Sequence, residues 1–249
     1  MAKYFMHDYP DGPFRFFSTS HLTALLIIIA INIILVLMMK RFGTRSREKI
    51  IGYILASILI LQELSLNIWR LYTGHWAMGT SLPLHLCGAA VVLSAIMLVT
   101  KSYQLYEIVY FWGLGGAIQA LLTPDIGPYA FPHYRFFHFF VSHGSIVTAS
   151  IFATFIYGFR PQSRSIRKVF LITNIYMVFI AGFNYLFDGN YLFICRKPDT
   201  ASLLDFMGPW PWYIISLEIV GLISFYVYYS PFCIKDYFKR RVSTVEMSD

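Results

Sequence analysis

Charge is what this chain of 249 residues has least of. Asp, Glu, Lys and Arg make up 13% of it, where a soluble globular domain carries about a quarter. So few charges cannot cover a water-facing surface, which excludes an ordinary soluble domain. Cysteine is scarce as well. Cys87, Cys195 and Cys233 fall on different segments with no metal-type spacing. Their predicted positions, in the membrane, outside and inside respectively, exclude a structural disulfide. Internal repeats and low-complexity tracts are missing, which argues against a repeat-built transporter. No compact basic stretch with a small-residue cleavage site surrounds the first apolar run, so that run is expected to stay in the mature protein.

What is present is apolar. Hydrophobic residues make up 57% of the chain and aromatics 18%, and the mean hydropathy is +0.58. The composition predicts an all-α polytopic membrane protein, one helical domain over 1–249. Seven spans are expected, at about 19–39, 50–71, 82–100, 105–122, 136–158, 167–187 and 211–230. Each has the length that crosses a hydrocarbon core of about 30 Å. Pro83 and Pro211 suit first-turn positions, while Pro124, Pro161 and Pro231 are expected to end helices. Of twenty Lys and Arg, only Lys3, Arg15, Arg70, Arg135, Arg196 and Lys197 fall on one side of these spans. The richer side should face inward, which puts the N-terminus out and the C-terminus in. The net charge of +7 thus has a topological explanation, and no nucleic-acid partner is expected.

The polar residues within the spans collect toward the outer side. Glu63, Asn67 and Arg70 stand at i, i+4 and i+7, on one helix face. His85 and Cys87 open the third span, Gln119 ends the fourth, and His138, Ser142 and His143 occupy the start of the fifth. Asn184 lies near the outer end of the sixth and Glu218 in the seventh. Packing accounts for any one of them: Glu63 with Arg70 as a buried ion pair, or amides holding helices together. A whole layer at one depth points instead to a polar cavity in the outer half, since intramembrane ionisable groups are costly and mark sites. Within it, Cys87 is the candidate nucleophile and an imidazole its activator. His143 is the better base, because His85 projects from the helix of Cys87 about 200° away and His138 faces another neighbour. Glu63 or Glu218 would orient the ring. Asn67, Gln119 and Asn184 would stabilise an oxyanion, and Arg70 and Arg135 would hold a phosphate.

Several motifs are familiar: Ser81-Leu82-Pro83-Leu84-His85-Leu86-Cys87, Tyr110-Phe111-Trp112-Gly113-Leu114-Gly115-Gly116, Ser142-His143-Gly144 and Gly208-Pro209-Trp210-Pro211-Trp212. Over about residues 60–215 the chain resembles the YwaF-type family of bacterial integral membrane proteins. That family is similar to a eukaryotic transmembrane acyltransferase of ether phospholipids. The resemblance implies a phospholipid transacylase independent of coenzyme A, in a bacterial plasma membrane. Cys87 would carry the acyl group as a thioester, His143 would act as base, and a phospholipid and a lyso-phospholipid would be the substrates. No cofactor is expected. With water as acceptor, the same site would be a lipase.

Two other readings compete. A non-enzymatic binding protein, receptor or transporter would use the same cavity for a small or lipid ligand; a retinal pump is excluded, because the seventh span has no lysine. A metal site from His85, His138, His143 and a carboxylate has no sequence spacing to support it.

Overall fold

A computed structural model describes residues 2–9, 12–198 and 203–246. Within the predicted outer segments, residues 1, 10–11 and 199–202 lie outside the described residues. The described residues are helical and contain no strand. The main helices are α1 (Thr19–Phe42), α2 (Arg45–Tyr72), α3 (Leu86–Thr100), α4 (Tyr103–Leu122), α5 (Tyr134–Phe155), α6 (Ser163–Phe187) and α7 (Trp212–Glu246).

Six of the seven predicted spans are helices long and apolar enough to cross a membrane. The third is a correction. Its helix, α3, has 15 residues, about 22 Å of rise. Residues 82–85, counted into that span, run outside it, and His85 is the N-cap in extended conformation. Proline explains the late start: Pro83 fixes its own backbone and pushes Leu82 out of the helical region. The seventh helix is corrected in the opposite sense, since α7 runs through Pro231 to Glu246. Proline cannot bond the carbonyl four residues back. That carbonyl, on Val227, accepts from the Ser230 hydroxyl at 2.8 Å instead, so the helix continues.

Caps follow the sequence. Ser18, Thr44 and Ser102 each accept a backbone N–H at the start of α1, α2 and α4, the expected role of Ser and Thr there. Helices α3, α4 and α5 form the centre. Ala90, Val91, Tyr106, Val109, Phe111, Ile146, Ala149, Phe152 and Ala153 are almost wholly buried there. Small residues let these backbones approach closely, as membrane helices require. Helices α1 and α7 are peripheral and turn Leu26, Ile29, Ile33, Ile219 and Ile223 outward. Such a surface suits lipid rather than water. Away from the polar layer, Glu107 is buried and accepts from Ser165 and Lys168, and Asn32 Nδ2 donates to Thr148 at 3.1 Å.

One interface depends on glycine. Inside α4, Gly113–Ala117 form a π-helical turn. A Cβ on Gly113 would meet Ile146 Cγ2 of α5 at 2.8 Å and Ser150 Oγ at 3.2 Å, whereas one on Gly115 would find only Tyr228, at 3.8 Å. Gly113→Ala is therefore expected to cost about 1–3 kcal/mol through overpacking. Gly115→Ala should be tolerated. Thermal unfolding of both variants in detergent checks this, and equal melting points would refute the close packing.

Candidate functional site

Cys87 is the second residue of α3, half-buried in its first turn. The turn has an unusual feature: the N-cap His85 makes no side-chain capping bond. The first helical amides have no partner within a helix, and they carry the positive end of its dipole. Here Ala89 N–H, at the fourth position, bonds back to His85 O at 2.9 Å. The N–H groups of Leu86, Cys87 and Gly88 lie ahead of that first bond, in the same turn as Cys87.

The sulfur lies against the π-turn of α4. A Cβ on Gly116 would come within 3.0 Å of Cys87 Sγ, so glycine leaves the room that the thiol occupies. π-turns recur at functional sites, and the sequence signal of this one is the glycine run of Gly113-Leu114-Gly115-Gly116.

His143 lies on α5, which runs antiparallel to α4. Gly113 faces Ile146 and Ser150. One turn further along α4, at Gly116, the facing level on α5 moves about three residues toward its start, to 143–147. His143 and the pocket of Cys87 therefore share a depth. The imidazole Nδ1 lies 2.9 Å from the Phe139 carbonyl oxygen. A carbonyl only accepts, so Nδ1 carries the proton and Nε2 presents a bare lone pair. The Phe139 ring also packs on the imidazole, 4.2 Å between centroids. A backbone carbonyl and a ring thus orient His143. Glu218 Oε2 accepts from Asn174 Nδ2 at 2.9 Å, between α6 and α7.

The remaining predicted residues separate into small groups. Glu63 Oε1 accepts from Asn67 Nδ2 at 3.2 Å, and Asn67 Oδ1 accepts from Trp76 Nε1 at 2.9 Å. Arg70 does not pair with Glu63 but donates to the Ser81 carbonyl at 3.1 Å. The long Arg70 side chain reaches instead to the segment that leads into α3. Arg135 Nη1 and His138 Nδ1 are 3.2 Å apart. His138 Nε2 is buried without a partner. Gln119 is exposed.

His85 and Asn184 serve the loop after α6. His85 Nδ1 accepts from Leu192 N–H at 3.3 Å, with the rings of Tyr191 and Phe193 within 5.2 and 5.1 Å. Asn184 is buried and clamps Tyr191 twice: Nδ2 donates to its carbonyl and Oδ1 accepts from its N–H, both at 2.9 Å. The amides of Asn67 and Asn184 are therefore committed to these bonds. Sequence reasoning missed Tyr191. Its hydroxyl donates to Met78 O at 2.7 Å and accepts from Leu82 N–H at 2.9 Å. It ties the loop to both sides of the turn before α3. The N-terminal segment closes the same end, with Trp69 Nε1 donating to Phe5 O at 2.7 Å and His133 Nε2 bonding Met6 O at 2.9 Å. Burial holds the His133 imidazole below its ordinary pKa.

No group of three or more His, Cys, Asp or Glu among the described residues is arranged to hold a metal ion. Two hollows, of about 280 and 460 Å³, lie at the end of the helices away from Cys87, one at the α1–α2 turn and one between α6 and α7.

No curated protein and no solved structure matches the chain. The TMEM164 family does match it, over residues 16–229. That stretch holds Cys87, the π-turn, His143 and the Asn184 clamp, together with every helix long and apolar enough to span a bilayer apart from the end of α7. The chain is thus a multi-pass integral membrane protein and belongs to the TMEM164 family.

Proposed function

We propose that this protein is a phospholipid transacylase in which Cys87 carries the acyl group and His143 moves the proton. The observation that carries this reading is the fixed His143 tautomer. With Nδ1–H held by the Phe139 carbonyl, the free Nε2 lone pair is available as a base at the depth of the Cys87 sulfur. His143 Nε2 takes the thiol proton, and the Cys87 sulfur attacks a phospholipid ester carbonyl. The developing oxyanion is stabilised by the unpaired N–H groups at the start of α3. The ester C–O bond breaks, His143 returns the proton to the leaving lyso-lipid oxygen, and a thioester remains. An acceptor hydroxyl then gives its proton to His143 and attacks the thioester, which restores the Cys87 thiol. Two moderate barriers replace one high barrier.

The resemblance to the YwaF-type family supports the same assignment. So does the concentration of polar groups at the Cys87 end, which this reading places in a polar cavity toward the outer leaflet of a bacterial plasma membrane, with the N-terminus outside. Arg70 and Arg135, beside this end, would hold the lipid phosphate.

Intact-protein mass spectrometry after incubation with mixed phospholipids tests the mechanism. A hydroxylamine-labile acyl mass is expected on the wild type and not on Cys87→Ala. No adduct on the wild type, with lipid nevertheless bound, would replace acyl transfer with a binding or transport role.

A further inference from the structure

The basic loop before α6 spends its charge unevenly. Arg160 pairs with Asp236 through two hydrogen bonds of 2.9 and 2.7 Å, which raises its pKa above the ordinary value. Lys168 pairs with the buried Glu107. Arg164 and Arg167 are exposed, and no carboxylate among the described residues pairs with either. Both line the hollow of about 460 Å³ between the first turn of α6 and the middle of α7. That volume lies within the range of small-molecule sites, about 300–1,000 Å³.

The walls of the hollow are of two kinds. Arg164, Arg167 and Ser163 bring two guanidinium groups and a hydroxyl to the start of a 25-residue helix, whose N-terminal dipole also favours an anion. Ile166, Tyr226 and Tyr229 supply apolar surface with hydroxyl tips. Tyrosines of this kind sit at headgroup level in membrane proteins. Toward the start of α7, Ile219 and Ile223 are exposed, as is Val227 beside Tyr226, and they offer an acyl chain apolar surface. A phosphate matches the paired guanidinium forks, and the apolar continuation selects one attached to lipid.

We propose that this hollow binds an anionic phospholipid of the leaflet at the basic end, its phosphate on Arg164 and Arg167 and its chains along α7. The site lies a helix length from Cys87 and does not depend on the acyl-transfer reading.

The test is thermal unfolding of the purified full chain in detergent. Phosphatidylglycerol is expected to raise the melting point by about 3–6 °C at saturation. Phosphatidylcholine of the same chains and soluble glycerol phosphate should not. The Arg164→Gln/Arg167→Gln double variant should lose most of the shift, and its lipid-free melting point should match the wild type, because among the described residues neither side chain has a charged partner to lose. Arg164→Lys/Arg167→Lys should keep part of it. A full shift in the glutamine variant, or an equal one with phosphatidylcholine, would overturn the proposal. An equal shift with glycerol phosphate would do so too, and would assign the hollow to a soluble anion.

Discussion

His143→Gln is expected to slow acylation of Cys87 by about 10²–10⁴-fold, the usual contribution of a positioned general base. Glutamine is similar in length to the imidazole and can still bond its own helix, but it cannot take a proton. The fold should survive, because the hydrogen bond shown for His143 runs to Phe139 within the same helix. The wild type and the variant should therefore melt within a few degrees of each other while differing greatly in the rate at which the acyl mass appears. Acylation at the wild-type rate would remove His143 from the mechanism.

Asn184→Ala should give the largest loss of stability at the Cys87 end. Its amide satisfies the Tyr191 N–H and carbonyl together, and Tyr191 in turn bridges Met78 and Leu82. Alanine leaves two buried backbone groups unpaired, at about 1–3 kcal/mol each. The side chain that does the clamping is itself almost fully buried, so water cannot simply replace it. Asn184→Asp should not be milder, since it buries a carboxylate with one oxygen against the Tyr191 carbonyl, where the amide had donated. Thermal unfolding measures the loss, and amide exchange at Leu82 and Tyr191 locates it. An unchanged melting point for Asn184→Ala would show that the loop is held by other contacts, such as Tyr213 to Phe193.

Much of the architecture is legible in the amino-acid sequence. Long apolar runs mark membrane helices because the hydrocarbon core demands their length and composition, and six of the expected spans are such helices. The exceptions arise where one local group decides the outcome. Pro83 delays α3, and the Ser230 hydroxyl lets α7 continue past Pro231. Hydropathy cannot register either, since a single hydrogen bond or ring does not alter the average over a window.

The candidate site is legible in the sequence as a group of residues but not as a set of contacts. Glu63 and Asn67, four residues apart on α2, do meet as helix spacing predicts. Partners on different elements cannot be read this way. Arg70 finds the Ser81 carbonyl, His85 finds Leu192, and Glu218 finds Asn174. Backbone groups take part in two of those three bonds, and nearly every residue carries the same ones, so the sequence holds no sign of which is used.

By itself, then, the sequence determined the class of the protein and the length of most of its helices. These follow from the cost of placing polar groups in lipid, which acts on each residue separately. Only the tertiary structure decided that Cys87 sits in an uncapped helix start against a glycine π-turn, and that a backbone carbonyl sets the His143 tautomer. Those features depend on how close helices approach one another, and that distance is fixed by packing across the bundle rather than by any local stretch of chain.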